Sequence, residues 1–179
     1  LTRKSDWLNK PVQTVAEVIN ADAKYRVAIE AALGEIAGYI IVDTYHEANA
    51  GIEFLKKTSH GKATFICLDK INSLKIPDDF ANDQNSLAAM DVIKCDEKHK
   101  KLFKFLLRNV FVFENVDNAI KFVDSHSNSC AITLEGEIFG GNGIVKGGSK
   151  RTDEGLLIGK KEQLKERVSE VEKLKSELE

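Results

Sequence analysis

GEIFGGNGIVKGG, residues 136–148, is the stretch on which the fold turns. It holds Gly136, Gly140, Gly141, Gly143, Gly147 and Gly148, six of the 12 glycines in the chain. Short β-prone pieces lie before it (131–134), inside it (137–139) and near its end (144–145). Glycine lacks a Cβ, so the backbone bends sharply there or lets another backbone come close. Such a run cradles phosphate, kinks a strand, or presents a bare sheet edge. A P-loop needs GxxxxGK followed by Ser or Thr. Gly61-Lys62 is followed by Ala63 and Gly159-Lys160 by Lys161, so neither fits. A dinucleotide fingerprint needs GxGxxG leading into a helix. Gly141 and Gly143 begin one, but Gly147 comes one residue late and the polar SKRTDEG follows. An anion loop at GGNG, in a small α/β nucleotide-binding domain or enzyme, stays as the alternative reading.

Working outward, the 179 residues are 42% hydrophobic and 30% charged, with net charge −2. That is the composition of a soluble globular chain with a charged, helix-rich portion. Any nucleic-acid contact has to come from a local patch. Cys67, Cys95 and Cys130 show no CxxC spacing and read as free thiols of a reducing compartment. No apolar run approaches the roughly 20 residues of a membrane span. The start at Leu1 leads us to expect a piece of a longer protein.

Two stretches before the glycines rhyme. KYRVAIEAALGEIAGYIIVDTYHEANAGIEFLKKTSHGKATFICLD (24–69) and KHKKLFKFLLRNVFVFENVDNAIKFVDSHSNSCAITLE (98–135) each read helix, apolar strand, helix, polar turn, strand. Each strand ends in an acid: Asp43 and Asp69 in the first, Glu114 and Glu135 in the second. Between them 75–91, with Pro77 and clustered Asp and Asn, reads as a linker. Residues 12–19 have helical spacing, Asp22 is a candidate cap for a helix over 23–33, and Thr44 for one running to Lys57. Strands are expected at 39–42, 63–68, 110–113 and 130–134, and helices at 96–107 and 116–124. The fold class is mixed α/β: two similar helix–strand subdomains, 12–74 and 92–156.

Residues 1–11 read as the tail of an incoming helix, and 157–179 as an outgoing coiled coil. Leu157, Leu164, Val171 and Leu178 recur every seven residues, with Val168 in the second seam row. His46, His60, His99 and His126 are scattered in polar contexts and read as surface residues; no metal spacing is present. The strand-end acids read as caps rather than a catalytic pair, and no catalytic residue is assigned. Lys146, Lys150, Arg151, Lys160 and Lys161 gather around the glycine stretch and the coil start, a candidate phosphate-backbone patch. Lys98, Lys100, Lys101, Lys104 and Arg108 stud one helix and read as a solvated face.

These residues together resemble the hinge domain of SMC (structural maintenance of chromosomes) proteins, bacterial or archaeal in type. YRVAIEAALG (25–34), 40–43 with the helix after it, ATFICLD (63–69), ITLEG (132–136), GIVKGGS (143–149) and LIGKK (157–161) come in family order. The resemblance implies a homodimerisation hinge for chromosome condensation and segregation, with Gly136, Gly140, Gly141, Gly143, Ile144, Val145, Gly147 and Gly148 at the dimer contact. It implies an antiparallel coiled-coil partner helix from the same chain and weak, salt-dependent DNA contact at the hinge–coil junction. It implies no cofactor here. ATP and Mg belong to head domains outside this sequence, as do kleisin-type partners. The expected location is the cytoplasm, on the nucleoid. Two departures stand out: Gly140-Gly141-Asn142 occupies the place of a Pro-Gly turn, and a glycine common near the hinge start is absent around 10–13.

Overall fold

The computed structural model describes residues 4, 5, 7–77, 86–148, 157–160, 164 and 167–171. Its first element corrects the sequence expectation. In place of the helix expected over 1–11, the described residues there form an antiparallel hairpin of β1 (Lys4–Ser5) and β2 (Leu8–Pro11). The physical reason is Trp7, whose ring packs edge-on against Phe65 at 5.9 Å between centroids. Leu8, beside it, is buried.

The duplication is deeper than the rhyme indicated. The first half runs β3 (Gln13–Thr14), α1 (Val15–Val18), β4 (Ile19–Ala21), α2 (Arg26–Leu33), β5 (Ile40–Val42), α3 (Tyr45–Thr58), β6 (Phe65–Cys67), followed by α4 (Leu68–Ser73). The second runs β7 (Leu87–Ala88), a 3₁₀ turn (Ala89–Val92), β8 (Ile93–Cys95), α5 (Glu97–Leu107), β9 (Val110–Phe113), α6 (Val116–Ser125), β10 (Cys130–Thr133). Each half builds a sheet in the same way. The first strand lies antiparallel to the second and the last two are parallel: β3-β5-β6 in one, β7-β9-β10 in the other. The crossover helices α3 and α6 join the parallel strands, as parallel pairs require. β4 and β8, the corresponding strands of the two halves, pair antiparallel with each other.

Several boundaries moved. The helix expected over 12–19 is one turn, because β3 before it and β4 after it are needed for pairing. Asp22 does not cap a helix at 23. Its carbonyl accepts from the Tyr25 amide in a turn, and α2 begins at Arg26. Thr44 does cap α3, accepting from the Glu47 amide at 3.3 Å, and Asn115 caps α6 through the Asn118 amide at 2.9 Å. The expected linker 75–91 is shorter. Residues 78–85 lie outside the described residues, but β7 pairs with β9, and Ala89 has no exposed surface. The small side chain of Ala89 fits the core, and the apolar run Leu87–Met90 around it is too short to show a period.

One apolar cluster spans both halves. Val15, Ile19, Ala28, Ile29 and Leu33 of the first meet Ala89, Leu102, Phe103, Leu107, Val112 and Ile132 of the second. Burying each of the larger side chains contributes about 1.5–3 kcal/mol. Smaller clusters close the outer faces: Phe111, Phe113, Ala119, Phe122 and Ala131 beneath α6, and Val42, Ala48 and Cys67 with Trp7 and Phe65 beneath α3. Ala48 and Ala119 sit four residues after the caps Thr44 and Asn115. A small residue there lets each helix settle onto its sheet.

A glycine edge and a helix rooted in the core

The second sheet goes two strands further than the first. After β10 the chain turns at Glu135-Gly136 into β11 (Ile138–Gly140), turns again at 141–144, and forms β12 (Val145–Lys146). Both pairings are antiparallel, so the order is β7-β9-β10-β11-β12. Thr133 fixes the first turn. Its buried hydroxyl donates to the Glu137 carboxylate at 2.9 Å and accepts from the Glu137 amide at 3.1 Å.

The glycines divide into two groups. Gly136, Gly140 and Gly141, all expected at the dimer contact, have reasons inside this chain. A Cβ on Gly141 would lie 2.6 Å from the carbonyl oxygens of both His126 and Ser127. A Cβ on Gly136 would press on Val27 and Ala31 at 3.1 and 3.3 Å. Gly140 and Gly141 donate their amides to the carbonyls of Ile144 and Ser129, and Gly143 donates to Gly140. Those three amides are therefore turned inward and do not line a phosphate cradle. Gly143, Gly147 and Gly148 are exposed; at Gly143 and Gly148 a Cβ meets nothing within 4 Å, although their φ of +85° and +128° favours glycine for backbone reasons as well. Between them Ile144 and Val145 are 64% and 65% exposed. Among the described residues β12 pairs on one side only, with β11. The outer row of backbone groups and two apolar side chains face outward at the same place.

The second feature is the root of the outgoing helix. Ile158 is buried in the cluster shared by both halves. The Glu30 carboxylate on α2 accepts from the amides of Leu157, at 2.8 Å, and Ile158, at 3.3 Å. Gly159, at φ +79°, passes so close to the Arg26 guanidinium that a Cβ would stand 2.9 Å from it. Arg26 in turn donates to the Ala21 carbonyl of β4 at 3.0 Å. Helix begins at Lys160, and the described residues 164 and 167–171 are helical. The seam residues Leu157, Leu164, Val168 and Val171 are each about half exposed; Leu178 lies outside the described residues. A groove of about 580 Å³ between this root and the first half is lined by Pro11, Ala37, Leu157 and Leu164. Of the basic set, Lys146 and Lys160 are exposed, and Lys150, Arg151 and Lys161 lie outside the described residues.

The strand-end acids fall in two separate places, Asp43 and Asp69 past the parallel strands β5 and β6, and Glu114 and Glu135 past β9 and β10. Lys10 pairs with both Asp43 and Glu47. Burial opposes the charge on Lys10, but the two carboxylates prevail and its pKa is raised. Glu114 pairs with Lys24 at 2.8 Å, which lowers the carboxyl and raises the amine. Among the described residues no group of three or more His, Cys, Asp or Glu is placed to hold a metal ion, and no helix is long and apolar enough to cross a membrane. All three cysteines are free. Cys67 is buried, and burial raises the pKa of each thiol. The surface reading fails at His99, which is 2% exposed. It stands one turn before Leu102 and Phe103, so its position on the apolar face was the available signal. His126 stacks on Phe122 at 4.3 Å. Trp7, Arg26, Glu30 and Ile158 were not singled out, since their roles are long-range in sequence.

A duplicated α/β body with one open glycine-bearing sheet edge and a helix rooted in its shared core defines the class of domain. Residues 8–123 match the family model "SMC proteins Flexible Hinge Domain", and the chain belongs to that family. It is 33% identical over 150 residues to the chromosome partition protein Smc of Synechococcus sp., which spans 81% of this chain and 12% of that protein. It is 28% identical over 140 residues to that of Methanocaldococcus jannaschii, 77% of this chain and 12% of the relative. The chain thus spans about an eighth of the length of these relatives. The crystal structure of the Pyrococcus furiosus SMC protein hinge domain superposes with TM-score 0.65 at 30% identity, covering 79% of this chain and 74% of that one. The asymmetric dimer of the Geobacillus stearothermophilus SMC hinge domain shares the fold, with TM-score 0.73 at 22% identity over 92% of this chain and 69% of that one.

Proposed function

We propose that this chain is the homodimerisation hinge of a chromosome-organising SMC ATPase and joins two long coiled-coil arms. One observation carries the reading. The two sheets are copies, but the second has β11 and β12 beyond β10, and the first has no described strand beyond β6. The place beside β6 corresponds to the place β11 fills beside β10. β12 of a second copy, with its outer backbone row free, fits there antiparallel, as β11 lies on β10. A two-fold axis makes the same contact twice and closes the pair, uniting three strands of one chain with five of the other in each sheet.

The half-exposed seam from Leu157 to Val171 takes an antiparallel helix of the same chain. Lys146, Lys150, Arg151, Lys160 and Lys161 contact DNA phosphates at the junction, weakly and with strong salt dependence, because few phosphates are neutralised. ATP and Mg chemistry and kleisin-type partners belong to head domains of the whole protein, which acts on the nucleoid in the cytoplasm.

Sedimentation equilibrium tests the core of this reading. The expected result is a dimer whose affinity falls when Gly143, Gly147 and Gly148 are replaced by Val together, with the monomer still folded by circular dichroism. A folded triple variant that stays dimeric at wild-type affinity overturns the edge. For DNA, charge reversal at the five basic residues is expected to abolish a salt-sensitive gel shift; binding that survives it removes the patch.

A further inference from the structure

We infer that Arg108 is a charge contact across the dimer edge and that it meets Asp69 of the second copy. The inference rests on the dimer reading above.

Arg108 follows the last turn of α5 and precedes β9. Its Nε is buried and has no hydrogen-bond partner. No ion pair is formed by its guanidinium among the described residues. A guanidinium always carries its charge. A partly covered one without an anion is costly, so its place calls for a carboxylate or phosphate. The cavity it lines, about 490 Å³, also has Gly140, Asn142 and Ile144 in its wall. The unpaired cation therefore opens onto the same exposed stretch that forms the sheet edge.

Strand register says which end of a second copy arrives there. Val110, Cys130 and Gly140 lie in one row across the sheet, and the Gly140 amide bonds Ile144 at the next strand. This row is the Arg108 end. β12 begins at this end and runs away from it. A partner β6 lying antiparallel to β12 must run toward it, so its last residue, Cys67, arrives beside Ile144. The chain that continues past the row is then Leu68, Asp69 and the first turn of α4. Because β5 is parallel to β6, Asp43 and Glu47 come to the same end.

Charge accounting selects among these three acids. Asp43 and Glu47 already share Lys10 within their own subunit. Asp69 is exposed, and its carboxylate accepts from the amide of its own neighbour Lys70; among the described residues it joins no ion pair. An unpaired cation on one copy and an unpaired anion on the other are thus brought to one end of the same shared sheet. The contact occurs twice per dimer. It would fix strand direction as well as add affinity, since a parallel approach sends Asp69 to the opposite end.

The test is a charge-swap cycle on the whole 179-residue chain, read as dimer dissociation constant by sedimentation at low and high salt. Arg108→Glu and Asp69→Arg are each expected to weaken the dimer by about tenfold or more at low salt, and less at high salt. The double variant, which carries both reversed charges, is expected to return to within about threefold of wild type. Arg108→Gln and Asp69→Asn repeat the cycle without introducing repulsion, and thermal melting of each variant separates lost pairing from lost folding. A wild-type dimer with singles that do not weaken, or a double no better than the worse single, overturns the pairing and leaves the dimer reading standing. A monomeric wild-type chain overturns the dimer reading and the pairing with it. Arg108→Glu that leaves the dimer intact but abolishes DNA binding reassigns the cation to phosphate.

Discussion

Asn20 and Lys94 face each other at the centre of the β4–β8 ladder. The spacing between them in the sequence is the same as that between Gln13 and Leu87, Val15 and Ala89, and Ile19 and Ile93. The ladder is thus symmetric about its middle pair, with Ile19 opposite Cys95 and Ala21 opposite Ile93. A pseudo-two-fold axis runs through it, and the core packed behind it belongs to both halves. The halves are therefore expected to unfold as one unit. Ile19→Ala, in the first half, and Leu102→Ala, in the second, should each cost about 2–5 kcal/mol. Each should move a single urea transition, with far-UV dichroism and Trp7 fluorescence changing together. Two separate transitions would show that the ladder joins independent domains.

Gly51 gives the second prediction. It lies on α3 over the edge strand β6, and a Cβ there would stand 2.8 Å from the Phe65 ring and 3.1 Å from Trp7. Helix propensity favours Ala over Gly by about 1 kcal/mol, and overpacking opposes it by about 1–3 kcal/mol. The ring contacts are closer than van der Waals separation, so overpacking is expected to win. Gly51→Ala should lower the urea midpoint and shift the emission of Trp7, the one tryptophan in the chain. An unchanged spectrum with raised stability would mean that the aromatic pair yields without strain.

The pH dependence should centre on His99. Its imidazole is buried, and Nδ1 has no hydrogen-bond partner. Burial, with Lys98 adding to it, holds its pKa below the ordinary 6.5, and Asp96 and Asp43 only partly oppose this. The folded state thus binds this proton less readily than the unfolded chain. Stability from this residue is complete above about pH 6.5 and declines as pH falls below that value. The urea midpoint should fall as pH is lowered below about 6.5, and His99→Leu should flatten that fall. A slope unchanged by the substitution would place the proton uptake elsewhere.

How much of this was legible in the sequence depends on the range of the forces. The strands at 110–113 and 130–134, and the cap Thr44, follow from local pattern and match the structure to within a residue or two. β7 was hidden because two residues are too few for a period and its pairing partner β9 lies far along the chain. The same is true of Trp7, read as part of a helix until Phe65 is seen beside it. One long-range signal is present in the sequence. Val18-Ile19-Asn20-Ala21-Asp22 recurs as Val92-Ile93-Lys94-Cys95-Asp96, and it marks the strands that pair across the pseudo-axis. At the glycine stretch, composition showed where backbones come close. It did not show which of those approaches are made within the chain.

The glycines supply the last prediction, because position separates the two kinds of approach. Ala at Gly141 would meet two backbone carbonyl oxygens at 2.6 Å. Backbone cannot swing aside as a side chain does, so the turn from β11 must deform. Gly141→Ala is expected to cost about 1–3 kcal/mol of stability, and to weaken dimers only by way of that loss. Ala at Gly147 would touch only the Glu137 side chain, at 3.6 and 3.7 Å, which is ordinary contact distance. Gly147→Ala should therefore leave the melting curve of the dilute, monomeric chain within about 0.5 kcal/mol of wild type, while Gly147→Val weakens the dimer measured at higher concentration. The informative comparison is between protein concentrations. An effect present at every concentration belongs to the fold, and one that appears only where dimers form belongs to the edge. If Gly147→Val destabilises the dilute monomer as much as Gly141→Ala does, the exposed glycines are structural too and the open edge lies elsewhere.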